Sequence, residues 1–178
     1  AWSGAAHLHI AEYATLHEMP DAIAKAKSHG LTVSLDPSWD ADLIGDPLFF
    51  ERATGADIFL PNMEEAEALT GKSDPGEALA VLQRHFPVVV LKRAGASNIL
   101  VSLGGDGAIL AAGGNTIDLP SPRVAVVDTT GAGDAFNAGF IHAWLNGADS
   151  RTALTAAIDA GTRSVQASGG TGSIRSAS

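Results

Sequence analysis

The sequence lacks cysteine and has few aromatic or charged residues. Of its 178 residues, 6% are aromatic, 17% are charged and none is Cys. The absence of cysteine excludes disulfide bonds, zinc–thiolate sites and a cysteine nucleophile. The sequence also has no apolar run long enough to span a membrane, and no basic segment followed by an apolar one that would mark a secretory signal. We therefore expect a cytoplasmic protein with no membrane partner.

Basic residues are also scarce. Eleven Lys and Arg stand against 20 Asp and Glu, which gives a formal net charge of −9. Because non-specific binding to nucleic acid requires a basic surface, we expect no nucleic-acid partner. The 46% of hydrophobic residues excludes a disordered chain. The length fits one domain, or part of a larger one, with a sizeable core.

Charge and glycine are distributed unevenly along the chain. Residues 1–78 hold 4 basic and 14 acidic residues, whereas residues 79–178 hold 7 and 6. Fourteen of the 20 glycines lie between Gly95 and Gly172. An acidic front half is thus joined to a neutral, glycine-rich back half. Such glycine density is typical of tight turns and of places where the backbone approaches a ligand closely.

The front half alternates short apolar runs with helical patterns. The patterns predict strands over residues 7–10, 31–35, 57–60 and 88–91, and helices over 20–29, 62–70 and 75–84. This alternation is typical of an α/β fold with a mostly parallel sheet and helices on both faces. Ligands bind at the carboxyl ends of such strands, so we expect Asp36, Asn62 and the glycine loops at the functional edge.

The back half predicts a hairpin and two long helices. Strands are predicted over 98–103, 108–112, 116–119 and 124–127, with a turn at Gly113-Gly114-Asn115, and helices over about 134–146 and 150–167. No repeat and no linker interrupts the chain, which predicts a single domain over 1–178. Residues 90–96 and 101–108 both read as a strand running into a glycine turn. The pattern leaves open whether they are two neighbouring strands or a near-duplicate insertion.

The segment Asp128-Thr-Thr-Gly-Ala-Gly-Asp134-Ala-Phe136 carries the strongest chemical signal. A predicted strand enters it and an amphipathic helix leaves it. The backbone N–H groups of Gly131 to Asp134 would point off the helix N-terminus, where they favour an anion. A carboxylate at Asp134 would repel that anion, but it suits a base that accepts a proton from a hydroxyl attacking phosphorus. The alternative interpretation is a tight turn whose Asp134 only complements the helix dipole.

Two other phosphate-binding motifs do not match this segment. It has no Gly-Lys-Ser/Thr ending, which excludes a P-loop. A dinucleotide fingerprint needs a third glycine where Phe136 stands, and an acidic residue about 20 positions further on is absent. A dehydrogenase-type dinucleotide domain is therefore the weakest of the functions considered.

The nine-residue segment resembles the C-terminal signature of ribokinase-like carbohydrate kinases, also called the phosphofructokinase B family. Four more segments resemble family motifs in the same order. They are Leu35-Asp36-Pro37, Pro61-Asn62-Met-Glu-Glu65-Ala-Glu-Ala-Leu-Thr-Gly71, Ser102-Leu-Gly-Gly-Asp-Gly107-Ala and Gly169-Gly-Thr-Gly-Ser-Ile174. The resemblance runs from about His7 to Ile174. It implies the three-layer αβα ribokinase-like fold with a mostly parallel central sheet.

The resemblance implies phosphotransfer from ATP to a hydroxyl of a sugar or sugar phosphate. Asp134 would be the general base, and the amides of Gly131, Ala132 and Gly133 would form the anion hole for the phosphoryl group. Asn62 and Glu65 would hold Mg²⁺, and Asp128 with Thr130 resembles the K⁺ site of some members. Further residues would border the nucleotide: Ser102, Gly104, Gly107, Leu119, Thr129 and Gly170.

Several of these residues have a purely structural alternative. Asn62 and Glu65 have the spacing of a helix capping box, and both roles are compatible. Asp36 is equally suited to starting the turn at Asp36-Pro37. The doubled glycine turn leaves open which of its two copies borders the nucleotide, and therefore weakens the roles of Gly104 and Gly107.

The family's amino-terminal sugar-binding segment and the β lid have no counterpart in this sequence. We therefore expect a partial kinase domain that alone binds nucleotide weakly and phosphorylates sugar poorly or not at all. The alternative is a non-catalytic nucleotide-binding module, or an inactive fragment of such a kinase. The sequence does not identify the sugar, and a homodimer is an expectation only for the full-length parent.

Overall fold

A computed structural model of the chain describes residues 2, 4–93, 106–166 and 168. The chain packs into two compact units. The first contains the described residues of 1–96 and 111–116, and the second those of 97–110 and 117–178. In the described part of the chain, no helix is long and apolar enough to cross a membrane.

Parallel strands form the centre of the first unit: β1 His7–Ile10, β2 Thr32–Leu35, β3 Ile58–Phe59 and β4 Val88–Lys92. β1 pairs with β2, β2 with β3, and β3 with β4, all in parallel. Ser34 of β2 lies opposite Ile58 of β3, which lies opposite Val88 of β4. Because parallel strands end at the same edge, the residues that follow β2 and β3 lie beside the end of β4.

Five helices belong to the same unit. They are α1 Ala14–Glu18, α2 Ala22–Ser28, α3 Phe49–Arg52, α4 Met63–Thr70 and α5 Pro75–Leu82. α4 begins after an Asn62 N-cap and ends at Gly71, whose φ of 69° allows the left-handed C-cap. α5 begins with Pro75 after an Asp74 N-cap, as the sequence predicts. The short helices α1 and α3 are not predicted by the sequence pattern.

Aromatic rings fill much of the core between these elements. Phe59 of β3 stacks on Phe86 with ring centroids 4.3 Å apart, and Tyr13 lies 4.5 Å from Phe49 of α3. All four side chains are buried. The hydroxyl of Tyr13 donates to Asp46 Oδ2 at 2.7 Å, which satisfies the buried phenol.

A hairpin and two long helices follow. The hairpin strands are β5 Ala108–Ala112 and β6 Asn115–Leu119, and the helices are α6 Ala132–Leu145 and α7 Ser150–Ser164. Gly113 and Gly114 have φ values of 56° and 79°, which suit a two-residue turn of the kind that favours glycine at both positions. Over the described residues, the sheet has six strands in the order β1 to β6, which confirms the predicted α/β fold.

The strand predicted over 124–127 is wrong. The structure assigns no strand there, and Val126 and Val127 are exposed. The backbone N–H groups of Val127 and Asp128 both donate to the carbonyl of Val165, at 2.8 and 3.2 Å. The segment therefore bonds to the end of α7 instead of extending a sheet. The strand predicted over 98–103 lies outside the described residues.

Helices α6 and α7 pack closely at Gly139. A Cβ added to Gly139 would lie 2.7 Å from the carbonyl oxygen of Ala156 and 2.8 Å from Cβ of Ala160. A Cβ added to Gly161, on the facing helix, would meet its nearest atoms at 3.4 Å, which is ordinary contact distance. Only Gly139 therefore has to be glycine for the two helices to approach.

We predict that Gly139→Ala destabilises the protein relative to Gly161→Ala by roughly 1–3 kcal/mol. Both substitutions gain the same helix propensity, so their difference isolates the overpacking at Gly139. Urea unfolding of the two variants measures it. Equal free energies of unfolding would contradict the close approach of the two helices.

Candidate functional site

The N-terminus of α6 has no side chain that caps it. The N-cap residue is Gly131, with φ 74°, and it makes no side-chain hydrogen bond to the first turn. The other described helices of eight or more residues are capped by the side chains of Asn62, Asp74 and Asp149. A helix start without a side-chain cap leaves backbone N–H donors and the positive end of the helix dipole available to an anion.

The loop before α6 is held in place by hydrogen bonds that its backbone N–H groups donate. Asp128 Oδ1 accepts from the N–H of Thr130 at 2.9 Å, and the carbonyl of Thr129 accepts from the N–H of Ala132 at 3.2 Å. The bonds of the Asp128 region to Val165 fasten the same loop to the end of α7. These bonds constrain the conformation of the loop that leads into α6.

Asp134 lies in the first turn of α6 and is exposed, as is Gly133. A carboxylate there complements the helix dipole, as the structural interpretation of Asp134 requires. Its exposure beside donors without a side-chain cap also lets it reach a group bound at the helix start. The structure thus brings Gly131, Ala132, Gly133 and Asp134 together in an arrangement that can bind an anion and accept a proton.

A second group of polar residues lies at the carboxyl ends of the first unit's strands. Asn62 and Glu65 form the capping box of α4. The N–H of Glu65 donates to Asn62 Oδ1 at 2.9 Å, and the N–H of Asn62 donates to Glu65 Oε2 at 2.7 Å. The structural role is therefore present. It fixes both side chains at the end of β3 and leaves a metal role compatible with it.

Glu65 is buried, with 2% of its surface exposed. The pKa of this carboxyl is raised to about 7, mainly by burial. The nearby Lys92 ammonium lowers it, and the charge of Asp36 raises it. Lys92 Nζ donates to Asp36 Oδ2 at 2.6 Å. Asp36 also accepts from the N–H of Ser38 at 3.0 Å, so it both starts the predicted turn and joins this group. The sequence pattern did not single out Lys92.

Amide and carboxylate oxygens of Asn62 and Glu65 are the hard donors that Mg²⁺ prefers. Over the residues that the structure describes, no group of three or more His, Cys, Asp or Glu could hold a metal ion. The donor chemistry of the pair fits a magnesium ion that keeps water and phosphate oxygens as its other ligands.

Two of the predicted nucleotide-site residues lie together. A Cβ added to Gly107 would lie 1.9 Å from the carbonyl oxygen of Leu119, and Gly107 has φ 64°. The close approach of the two backbones leaves no room for a side chain at Gly107, which is a structural reason for glycine that the sequence did not show. Ser102, Gly104 and Gly170 lie outside the described residues, and Thr129 lies in the loop before α6. The predicted nucleotide role of all six residues stays a prediction.

We predict that Gly107→Ala destabilises the protein more than Gly147→Ala does. Both positions have positive φ, which disfavours alanine by roughly 1–2 kcal/mol, but a Cβ at Gly147 has no atom within 4 Å. Gly107→Ala also forces apart the Leu119 backbone, which adds about 1–3 kcal/mol. Chemical denaturation of both variants measures the difference, and similar losses would refute the close contact.

The pKa of Glu65 predicts a pH dependence of stability in the metal-free protein. The folded state binds this proton more tightly than the unfolded chain, whose Glu pKa is near 4.5. The contribution of the protonated Glu65 carboxyl to stability is therefore full below pH 4.5 and is lost as pH rises through about 7. In the presence of EDTA, the free energy of unfolding of Glu65→Gln should rise relative to that of the wild type as the pH increases from 5 to 8. The rise should reach up to about 3 kcal/mol.

Glu67→Gln is the matched control, because Glu67 lies on the same helix and is exposed. Urea unfolding at both pH values should show no such gain for this variant. A Glu65→Gln protein whose stability follows that of the wild type across the range would contradict the buried carboxyl.

Comparison with known families gives a match over almost the whole chain. The model described as pfkB family carbohydrate kinase matches residues 4–177. Among curated proteins, the deoxyribokinase of Salmonella typhi is 34% identical over 137 residues, which cover 77% of this chain and 42% of that protein.

Solved structures give a similar result. An E. coli protein described as a ribokinase II, in complex with ATP and Mg²⁺, superposes with a TM-score of 0.76 at 28% identity, over 96% of this chain and 56% of that one. A fructokinase double mutant from Vibrio cholerae O395, bound to fructose, ADP and potassium, gives a TM-score of 0.73 at 26% identity, over 93% and 56%. The chain thus spans about half the length of the relatives it matches.

Proposed function

We propose the function of this chain from the fact that it belongs to the pfkB carbohydrate kinase family. The protein transfers the γ-phosphoryl group of ATP to a hydroxyl of a sugar or sugar phosphate. The observation that carries the proposal is the N-terminus of α6, which has no side-chain cap and holds an exposed carboxylate in its first turn. A helix start serving only stability would gain from a capping side chain, as α4, α5 and α7 do.

Asp134 is the general base of this reaction. Its carboxylate accepts the proton of the sugar hydroxyl as the new oxygen–phosphorus bond forms and the bond from the γ-phosphorus to ADP breaks. The amides of Gly131, Ala132 and Gly133 donate hydrogen bonds to the phosphoryl oxygens, on which negative charge is spread in the transition state. Their fixed loop supplies these donors without rearrangement.

Asn62 and Glu65 would hold the magnesium ion of the nucleotide, directly or through its waters. When bound, Mg²⁺ neutralises charge on the phosphate oxygens. The ribokinase II relative, which binds ATP and Mg²⁺, supports the presence of both ligands. Asp128 and Thr130 would contribute to a K⁺ site, and the potassium-bound fructokinase supports the ion itself. Ser102, Gly104, Gly107, Leu119, Thr129 and Gly170 border the nucleotide.

The acceptor is a sugar or a sugar phosphate, a class that the names of several relatives share. The curated relatives include a deoxyribokinase, ribokinases, phosphofructokinases and a 2-dehydro-3-deoxygluconokinase. Because the chain spans 42% of the deoxyribokinase, nucleotide binding without phosphotransfer is the second candidate for the 178 residues by themselves. A screen of ADP release across sugars identifies the acceptor.

We predict that Asp134→Asn lowers kcat by roughly 10²–10⁴-fold in the protein expressed at its full natural length. The amide cannot accept the proton, while loss of a negative charge near the phosphates leaves the affinity for Mg·ATP unchanged or higher. Coupled measurement of ADP formation gives kcat, and calorimetry gives the Kd. Asp159→Asn, an exposed position on α7, should match the wild type.

Near-normal turnover of Asp134→Asn would remove Asp134 from the mechanism. Tight Mg·ATP binding together with no transfer to any sugar, in the wild type at full length, would instead favour the nucleotide-binding module.

A further inference from the structure

Lys92 is the last residue of β4, and its backbone fixes the start of α4. The N–H of Lys92 donates to the carbonyl of Pro61 at 2.9 Å. Asn62 and Lys92 form an isolated parallel bridge beyond the end of β3. The pairing of β3 with β4 therefore continues up to the N-cap residue of α4. Any shift of Lys92 would move Asn62 with it.

The side chain of Lys92 makes a second connection in another direction. Its ammonium group reaches Asp36, which follows β2, and Nζ lies 2.6 Å from Oδ2. The side chains of Lys92 and Asp36 are 14% and 11% exposed, so water screens the pair little. Ion pairs shielded in this way are held more firmly than exposed ones, and removing one partner leaves the other charge poorly solvated.

Asp36 is itself held in a fixed position. Its second carboxylate oxygen accepts from the N–H of Ser38, and Ser38 has the left-handed φ of 51° that non-glycine residues rarely adopt. The ammonium of Lys92 is therefore bound to an anchor that the turn after β2 keeps in place. Through one residue, the ends of β2, β3 and β4 are joined.

We propose that Lys92 is the positioning residue of the Asn62–Glu65 segment. Tied to Asp36 by its side chain and to Pro61 by its backbone, it keeps the Asn62 and Glu65 oxygens in one arrangement toward the magnesium ion of the nucleotide. The proposal rests on the proposed function, which assigns magnesium to that pair. Lys92 acts through Asn62 and is not itself a catalytic residue.

A purely structural role for Lys92 makes a different prediction. If the ion pair only stabilises the fold, its loss affects nucleotide affinity equally whether or not magnesium is present. A positioning role weakens only the magnesium-dependent part of binding. Partners of metal ligands contribute about 10–100-fold to metal affinity in other proteins.

The test measures binding of the non-hydrolysable ATP analogue AMP-PNP to the protein expressed at its full natural length, by calorimetry, once with Mg²⁺ and once with EDTA. For Lys92→Met we expect the Kd with Mg²⁺ to rise at least about tenfold, and the Kd with EDTA to stay near that of the wild type. Lys92→Arg, which keeps the charge, should restore most of the magnesium effect.

Lys27→Met is the matched control, because it removes another lysine–aspartate pair of the same unit. Lys27 Nζ lies 2.7 Å from Asp57, which precedes β3 and is therefore at the opposite end of that strand from Asn62. It should leave both Kd values unchanged. If Lys92→Met does not fold, Asp36→Asn removes the same pair from its other side and should give the same magnesium-selective loss.

Three outcomes would overturn the proposal. Loss of affinity to the same extent in both media would assign Lys92 a structural role only. An unchanged magnesium effect in Lys92→Met or Asp36→Asn would overturn the positioning role alone and leave the kinase proposal standing. Wild-type protein that binds AMP-PNP in neither medium would overturn the proposed function and, with it, this inference.

Discussion

The parallel pairing of β1 to β4 is the constraint on which the arrangement of the first unit depends. Parallel strands that are paired in register end at one edge, so whatever follows them in the sequence is collected there. Asp36 follows β2, Asn62 follows β3 and Lys92 ends β4, and these three residues form one connected group. Glu65 joins the group because the capping box of α4 requires it beside Asn62.

The described helices of eight or more residues begin in one of two ways, with or without a side-chain cap. α4, α5 and α7 satisfy their first N–H groups with an Asn or Asp side chain, which stabilises each helix by about 1 kcal/mol. α6 begins with a left-handed glycine and forgoes that stabilisation. The exception is the helix whose first turn holds Asp134. A helix start without a side-chain cap leaves its first N–H groups available to an anion.

Much of the fold follows from local patterns, and the exceptions depend on contacts distant in sequence. The bounds of β1 and β5 and the start and end of α4 are correct because alternation, Asn62 and Gly71 act locally. The segment 124–127 has the composition of a strand, yet its end bonds to Val165. In the candidate site, Asp36 and Lys92 are 56 residues apart, so no periodicity could pair them. The segment around Asp134 was identified because its chemistry lies in consecutive residues.

Phosphate binding by the amides at the start of α6 is the central claim of the proposed function. Amide resonances of the ¹⁵N-labelled protein, followed by NMR during addition of Mg·ATP, test it directly. We predict that Gly131, Ala132 and Gly133 show the largest shifts, and that the start of α7, which Asp149 caps, shows none. A titration in which Mg·ATP binds and the amides of Gly131, Ala132 and Gly133 do not respond would contradict the account.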